Sequence, residues 1–149
     1  MATQNKSGMP LLDAALVKSQ DDAYKIAQAA LKYLDTLTDK KSKAFKPNGI
    51  FGGFERWGKW ASLVLSALIW AKKTSDPDAC TWAEIKQILM HGSNGFELGL
   101  HVIAFLKQHP AALRMLEDDV IYDEIQEESP SIFAWIVMAM EGLFSYWNE

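Results

Sequence analysis

Two stretches of this chain carry apolar side chains on nearly every face of a helix, and such helices must lie inside a bundle. From Phe54 to Lys73, one side is lined by Phe54, Trp57, Ala61, Val64, Leu65 and Leu68, and Trp60, Leu63, Ala67 and Trp70 widen it. Only Glu55, Lys59, Ser62, Ser66 and Lys73 are left for a narrow polar seam. In the last segment Ile132, Trp135, Ile136, Ala139, Met140, Leu143, Phe144 and Trp147 recur at helical spacing, with Phe133, Val137 and Tyr146 beside them. Glu141, Ser145 and Asn148 supply its one thin polar edge. Two central helices, at about 54–73 and 130–147, are therefore expected, with others wrapped around them.

The remaining segments read as amphipathic helices with start signals. Pro10 opens a short first helix, since its missing N–H costs nothing at that position. Ser19 with Asp22 resembles a capping arrangement for a second, whose buried stripe is Ala23, Ile26, Ala27, Ala30, Leu34 and Leu37. After a break at Asp76-Pro77-Asp78, Thr81 and Glu84 form a capping box for a helix carrying Trp82, Ile85, Ile88 and Leu89. Asn94 with Glu97 starts another, through Phe96, Leu100 and Ile103. Pro110 and Pro130 mark two further starts, with Ser129 as N-cap of the last helix. No stretch alternates with period two for long. The expected fold is all-α, a single-domain bundle of six to seven helices spanning 10–149, behind a flexible N-terminus at 1–9. A basic loop at about 40–53 (KKSKAFKPNGIFGG) has Pro47-Asn48-Gly49 as its turn chemistry. At 149 residues the chain can bury about two-thirds of its unfolded surface in one domain.

Charge is laid out unevenly. Residues 1–75 carry twelve Lys/Arg against six Asp/Glu, and residues 76–149 carry three against thirteen. Seven of those acids fall between 117 and 128: Glu117, Asp118, Asp119, Asp123, Glu124, Glu127 and Glu128, with no base among them. So dense a one-signed cluster costs self-repulsion that scattered charges would avoid. The bland reading is a solvated helix face that keeps the protein in solution. The functional one is a docking face for a basic protein, with Tyr122 and Ile125 as apolar anchors. A net charge of −4 argues against nucleic acid as the main partner. The basic loop, with Phe45 and Phe51 beside its lysines, keeps an alternative: an accessory module of nucleic-acid transactions binding through 40–51.

No residue set assembles a recognisable catalytic or metal centre. Asp119/Asp123 and Glu124/Glu128 each stand four apart, yet no calcium-loop pattern accompanies them. His101 follows Glu97 by four, an ion-pair spacing and one too long for the Glu-x-x-His of di-iron bundles. His91 and His109 lie at helix ends, where a cation suits the dipole or a side chain caps the next helix. Cys80 near a helix start could have a lowered pKa, though a buried small hydrophobe is the plainer reading. Gly49, Gly52 and Gly53 before a helix lack phosphate-loop spacing and read as turn geometry. No cofactor and no enzyme activity are expected. The single cysteine fits a reducing compartment, and Met1–Met9 lacks the apolar run of a signal peptide, so a cytoplasmic location is expected. The 16 residues from Ile132 to Trp147 include Glu141 and fall short of the ~20 needed to span a bilayer, so no membrane role is expected.

The stretch GGFERWGKWASLVLSALIWA, followed by DPDAC, resembles a segment in the tails of primase-helicase proteins of phages and integrative elements. Phe54, Glu55, Trp57, Trp70, Asp76 and Pro77 occupy the corresponding places. The match covers about a fifth of the chain, Gly52 to Cys80, and transfers no catalytic residue. It implies a protein from a mobile element or phage.

Taken together, these features lead to the expectation of a non-enzymatic protein that binds a basic partner through the acidic face around 117–128. An inhibitor or antidote fits, of the toxin-immunity or phage anti-defence type. The apolar last helix would also suit a homodimer seam.

Overall fold

The hydroxyl of Ser19 accepts the amide of Asp22 at 3.1 Å, and the Asp22 carboxylate accepts the amide of Lys18 at 3.0 Å. This reciprocal cap satisfies donors that a helix start leaves orphaned, and the first long helix, α1 (Gln20–Leu37), follows from it. The computed structural model describes residues 8–37, 54–90 and 95–147, with backbone alone at 54–57, 95 and 120. Beyond α1 the chain forms α2 (Phe54–Ser75), α3 (Trp82–Leu89), α4 (Gly95–Lys107), α5 (Pro110–Leu113), α6 (Val120–Glu127) and α7 (Ile132–Phe144). Single 3-10 turns lie at Ala14–Leu16, Pro77–Ala79 and Arg114–Leu116. The fold is an all-α bundle, with no strand among the described residues. No described helix is long and apolar enough to cross a membrane.

The two expected central helices are central. α2 touches α1, α4, α5 and α7, and α7 touches α1, α2, α3, α4 and α6. The most extensive contact joins α1 to α2. Ala23, Ala27 and Ala30 on α1 are fully buried, and small side chains there let two helices approach closely. The polar seam expected on α2 is not a surface feature in its middle: Ser62 and Ser66 are fully buried. Small hydroxyl residues can be enclosed where a charged one cannot, because the helix carbonyls offer a local partner. Ser66 uses one, donating to the Leu63 carbonyl at 2.7 Å. Ser62 has its hydroxyl buried with no partner among the described residues.

Several start signals act as the sequence suggests. Thr81 accepts the amide of Glu84 at 3.3 Å, and α5 begins at Pro110. Others shift. Pro10 does not open a helix: the first helical turn is capped by Asp13, whose carboxylate takes the amides of Ala15 and Leu16 at 2.8 and 3.2 Å. Ser129 is not the N-cap of α7. Its amide closes α6 by donating to the Glu124 carbonyl at 3.1 Å, and Ser131 holds the cap position. On α4 the buried stripe is Leu98, Val102, Ile103 and Leu106, while Phe96 is exposed and Leu100 half-buried. Asn94, His91 and the basic loop 40–53 lie outside the described residues.

The folded domain begins before residue 10. Gly8 has φ +89°, and a Cβ there would stand 2.5 Å from the Tyr33 ring, so only glycine fits this approach to α1. Met9 is fully buried, against the expectation of a flexible segment through residue 9. Trp82 on α3 donates its indole N–H to the Pro10 carbonyl at 2.7 Å, and the Lys73 ammonium reaches the Ala14 carbonyl at 2.6 Å. Residues 8–17 thus form a strap tied to three helices.

Candidate protein-binding face

The acidic segment does not continue the preceding helix. α5 runs into the 3-10 turn at Arg114–Leu116, the chain turns through 117–119, and α6 begins afresh at Val120 with Asp119 at its N-cap position. What holds α6 in place is the pair Ile121 and Ile125, four apart and both fully buried. Burial of side chains of this size contributes about 2 kcal/mol each, enough to seat a two-turn helix whose other face is charged.

That arrangement divides the nine candidate residues. Glu117 and Asp118 in the turn, and Asp123 and Glu127 on the outer face of α6, are exposed. Among the described residues, no basic side chain holds any of these four. Asp119 and Tyr122 are half-buried, and Tyr122 packs against the core. Ile125 is fully buried, so it is a core residue and not an anchor for a partner. The signal was present in the sequence, since Ile121 and Ile125 share one helix face and must face the bundle together.

Glu124 and Glu128 have internal work. The Glu124 carboxylate takes the amides of Phe133 at 2.9 Å and Ile132 at 3.2 Å, and the Ser131 hydroxyl at 3.1 Å. It is the acidic cap of α7, reaching across from the neighbouring helix. Glu128 ends α6 in the left-handed conformation, φ 53° and ψ 37°, and pairs with Lys107 on α4 at 2.7 Å. The hydrogen bond from Lys107, and then its charge, hold the Glu128 carboxyl below the ordinary range. The acidic face available to a partner is therefore Glu117, Asp118, Asp123 and Glu127, bordered by Asp119.

Elsewhere the chemistry is quiet. Among the described residues, no group of three His, Cys, Asp or Glu side chains could hold a metal ion. Cys80 is fully buried with Sγ 3.9 Å from the Ile69 carbonyl, and desolvation pushes its thiol up, opposite to a reactive helix-start cysteine. His109 occupies the N-cap position of α5 without a capping bond. Its ring lies 4.7 Å from that of Phe105 instead. No family model matches this chain, and no curated protein or solved structure matches it either.

Proposed function

We propose that this chain is a non-enzymatic protein-binding protein, an inhibitor or antidote that engages a basic site on its partner through the acidic turn and α6. The observation that carries the reading is the exposure of Glu117, Asp118, Asp123 and Glu127 on a helix seated by Ile121 and Ile125. Four like charges with no ion pair among the described residues cost self-repulsion, and a basic partner relieves it. Such a surface accelerates encounter and selects against acidic partners. The likeness of Gly52–Cys80 to tails of phage and integrative-element primase-helicase proteins is the reason to look to toxin immunity and phage anti-defence for the target.

The test is capture of partners from source-cell lysate, comparing the chain with a variant carrying Glu117→Lys, Asp118→Lys, Asp123→Lys and Glu127→Lys. Glu124 stays unchanged because it caps α7, Glu128 because it pairs with Lys107, and Asp119 because it is half-buried. A basic protein held by the parent at low salt, released at high salt and lost in the variant is the expected result. Equal capture by both proteins, with matching circular dichroism, would sink the reading.

A further inference from the structure

α7 and the turn after it present a strip of large apolar side chains to the outside, with the exposed Ser145 beside its end. Trp135, Met138, Gly142 and Tyr146 recur at intervals of three and four, and the three large side chains are 49%, 40% and 45% exposed. Glu141, at the margin of this strip, is the one charged residue within α7. Both helical glycines in this region need a reason, since mid-helix glycine costs about 1 kcal/mol against alanine. Gly99 has one: a Cβ there would press on Ala134 at 3.2 Å, so the glycine lets α4 lie close to α7. Gly142 has none among the described residues, because a Cβ there would meet nothing within 4 Å. An outward glycine in an apolar strip leaves room for another backbone to approach.

We infer that this strip is the apolar half of the docking surface, and that its occupant is an amphipathic helix with basic residues toward one end. The inference rests on the proposed acidic-face function. Charge complementarity speeds association, whereas affinity comes from desolvated aromatic and other large anchors. The buried Ile125 and the core-packed Tyr122 leave the acidic face without such anchors among the described residues. Trp135 and Met138 supply them next door. Ser131, at the N-cap position of α7 and one turn before Trp135, donates its hydroxyl to Glu124 of α6, so the N-terminal end of α7 adjoins the acidic segment. The Gly99–Ala134 approach joins α4 to the first turns of α7, and Phe96, 55% exposed, stands one turn before that approach on α4.

Length and area select the occupant. From Trp135 to Tyr146 the strip runs about 16 Å at 1.5 Å per residue, and its three-and-four spacing matches the i, i+3, i+7 anchors of a docked helix. Three half-exposed side chains offer on the order of 300 Å², well short of the ~800 Å² per partner that stable complexes use. Two copies meeting through this strip alone would be underburied. A partner that also covers the acidic turn makes up the difference, and it needs basic residues there to do so.

The probe is a labelled 18-residue helical peptide of leucine and lysine, with leucines on one face, titrated with the full chain by fluorescence anisotropy at low and high salt. A peptide of the same composition in scrambled order is the control. Two strip variants are used: Trp135→Ser with Met138→Ser, and Gly142→Gln, which adds bulk where nothing clashes and favours the helix. One peptide per chain is expected, with at least tenfold weaker binding in both strip variants at either salt concentration. The lysine reversals at 117, 118, 123 and 127 should weaken binding at low salt and flatten its salt dependence. No binding, equal binding of the scrambled peptide, or unchanged affinity in the strip variants overturns the inference. Loss in the acidic variant alone leaves the proposed function standing without the strip. Loss in the strip variants alone, indifferent to salt, overturns the acidic reading and the basic character of the occupant with it. A dimer of the chain by sedimentation, abolished in the strip variants, assigns the strip to a second copy and also overturns it.

Discussion

Glu124 accepts the backbone amide of Phe133 at 2.9 Å, so a residue of the acidic segment is also the support for the start of the last central helix. Together with Ile132 and Ser131 it fills three hydrogen-bonding places on one carboxylate. A negative group there also complements the helix dipole. Glu124→Ala should lower stability by about 1–2 kcal/mol, the usual worth of a lost N-terminal cap. Asp123→Asn, on the outer face, should stay within about 0.5 kcal/mol of the parent. Urea denaturation of both variants checks this, and equal midpoints would contradict the division of the acids into structural and available ones.

Ser62 places a hydroxyl in the core with no partner among the described residues, whereas the Ser66 hydroxyl is satisfied one turn on. An unsatisfied buried polar group costs about 1–3 kcal/mol. Ser62→Ala should therefore stabilise the protein by about 1 kcal/mol, raising the melting temperature by roughly 2–4 °C for a chain of this size. Ser66→Ala should give no gain. A destabilised Ser62→Ala protein would mean that the hydroxyl is bonded in solution.

At Glu128 two small effects oppose each other. The left-handed backbone, φ 53°, costs a side-chain-bearing residue about 1 kcal/mol. The pair with Lys107 is exposed at the glutamate end, where solvent screening leaves it little weight. Glu128→Gly relieves the first and loses the second, so a small net gain in stability is expected. Lys107→Met, which loses only the pair, should instead destabilise slightly. Thermal melts of the two proteins should move in opposite directions.

His109 gives the fold a pH dependence. Burial first, and the Lys72 ammonium second, hold its imidazole below the usual histidine range. An unfolded histidine titrates near pH 6.5, so the unfolded chain binds this proton before the folded one does. Stability is then whole above about pH 6.5 and declines as the pH falls below it, until the folded state also protonates. The urea midpoint should drop between pH 7 and 5.5 in the parent, and less in His109→Gln. Parallel curves for the two proteins would show that other groups carry the change.

Local chemistry was legible in the sequence at several helix starts where a signal and its partner lie within one turn, though Pro10 and Ser129 misled about the exact start. The Ser19–Asp22 and Thr81–Glu84 caps, the helical start at Pro110 and the burial of both central helices follow from short-range spacing and period. What the tertiary structure decided are relations between residues far apart in the chain. Met9 is buried because the strap reaches Tyr33, Lys73 and Trp82, none of which its own polar surroundings announce. Trp135 stays half-exposed although its helix is apolar nearly all round, because hydrophobic period says that a face can be buried and only the packing of α4, α6 and the other neighbours says which face is. Glu124 and Asp123 are chemically alike and adjacent; a rotation of about 100° along α6 sends one to the start of α7 and the other to solvent. Composition placed the acids together, and packing decided which of them a partner can reach.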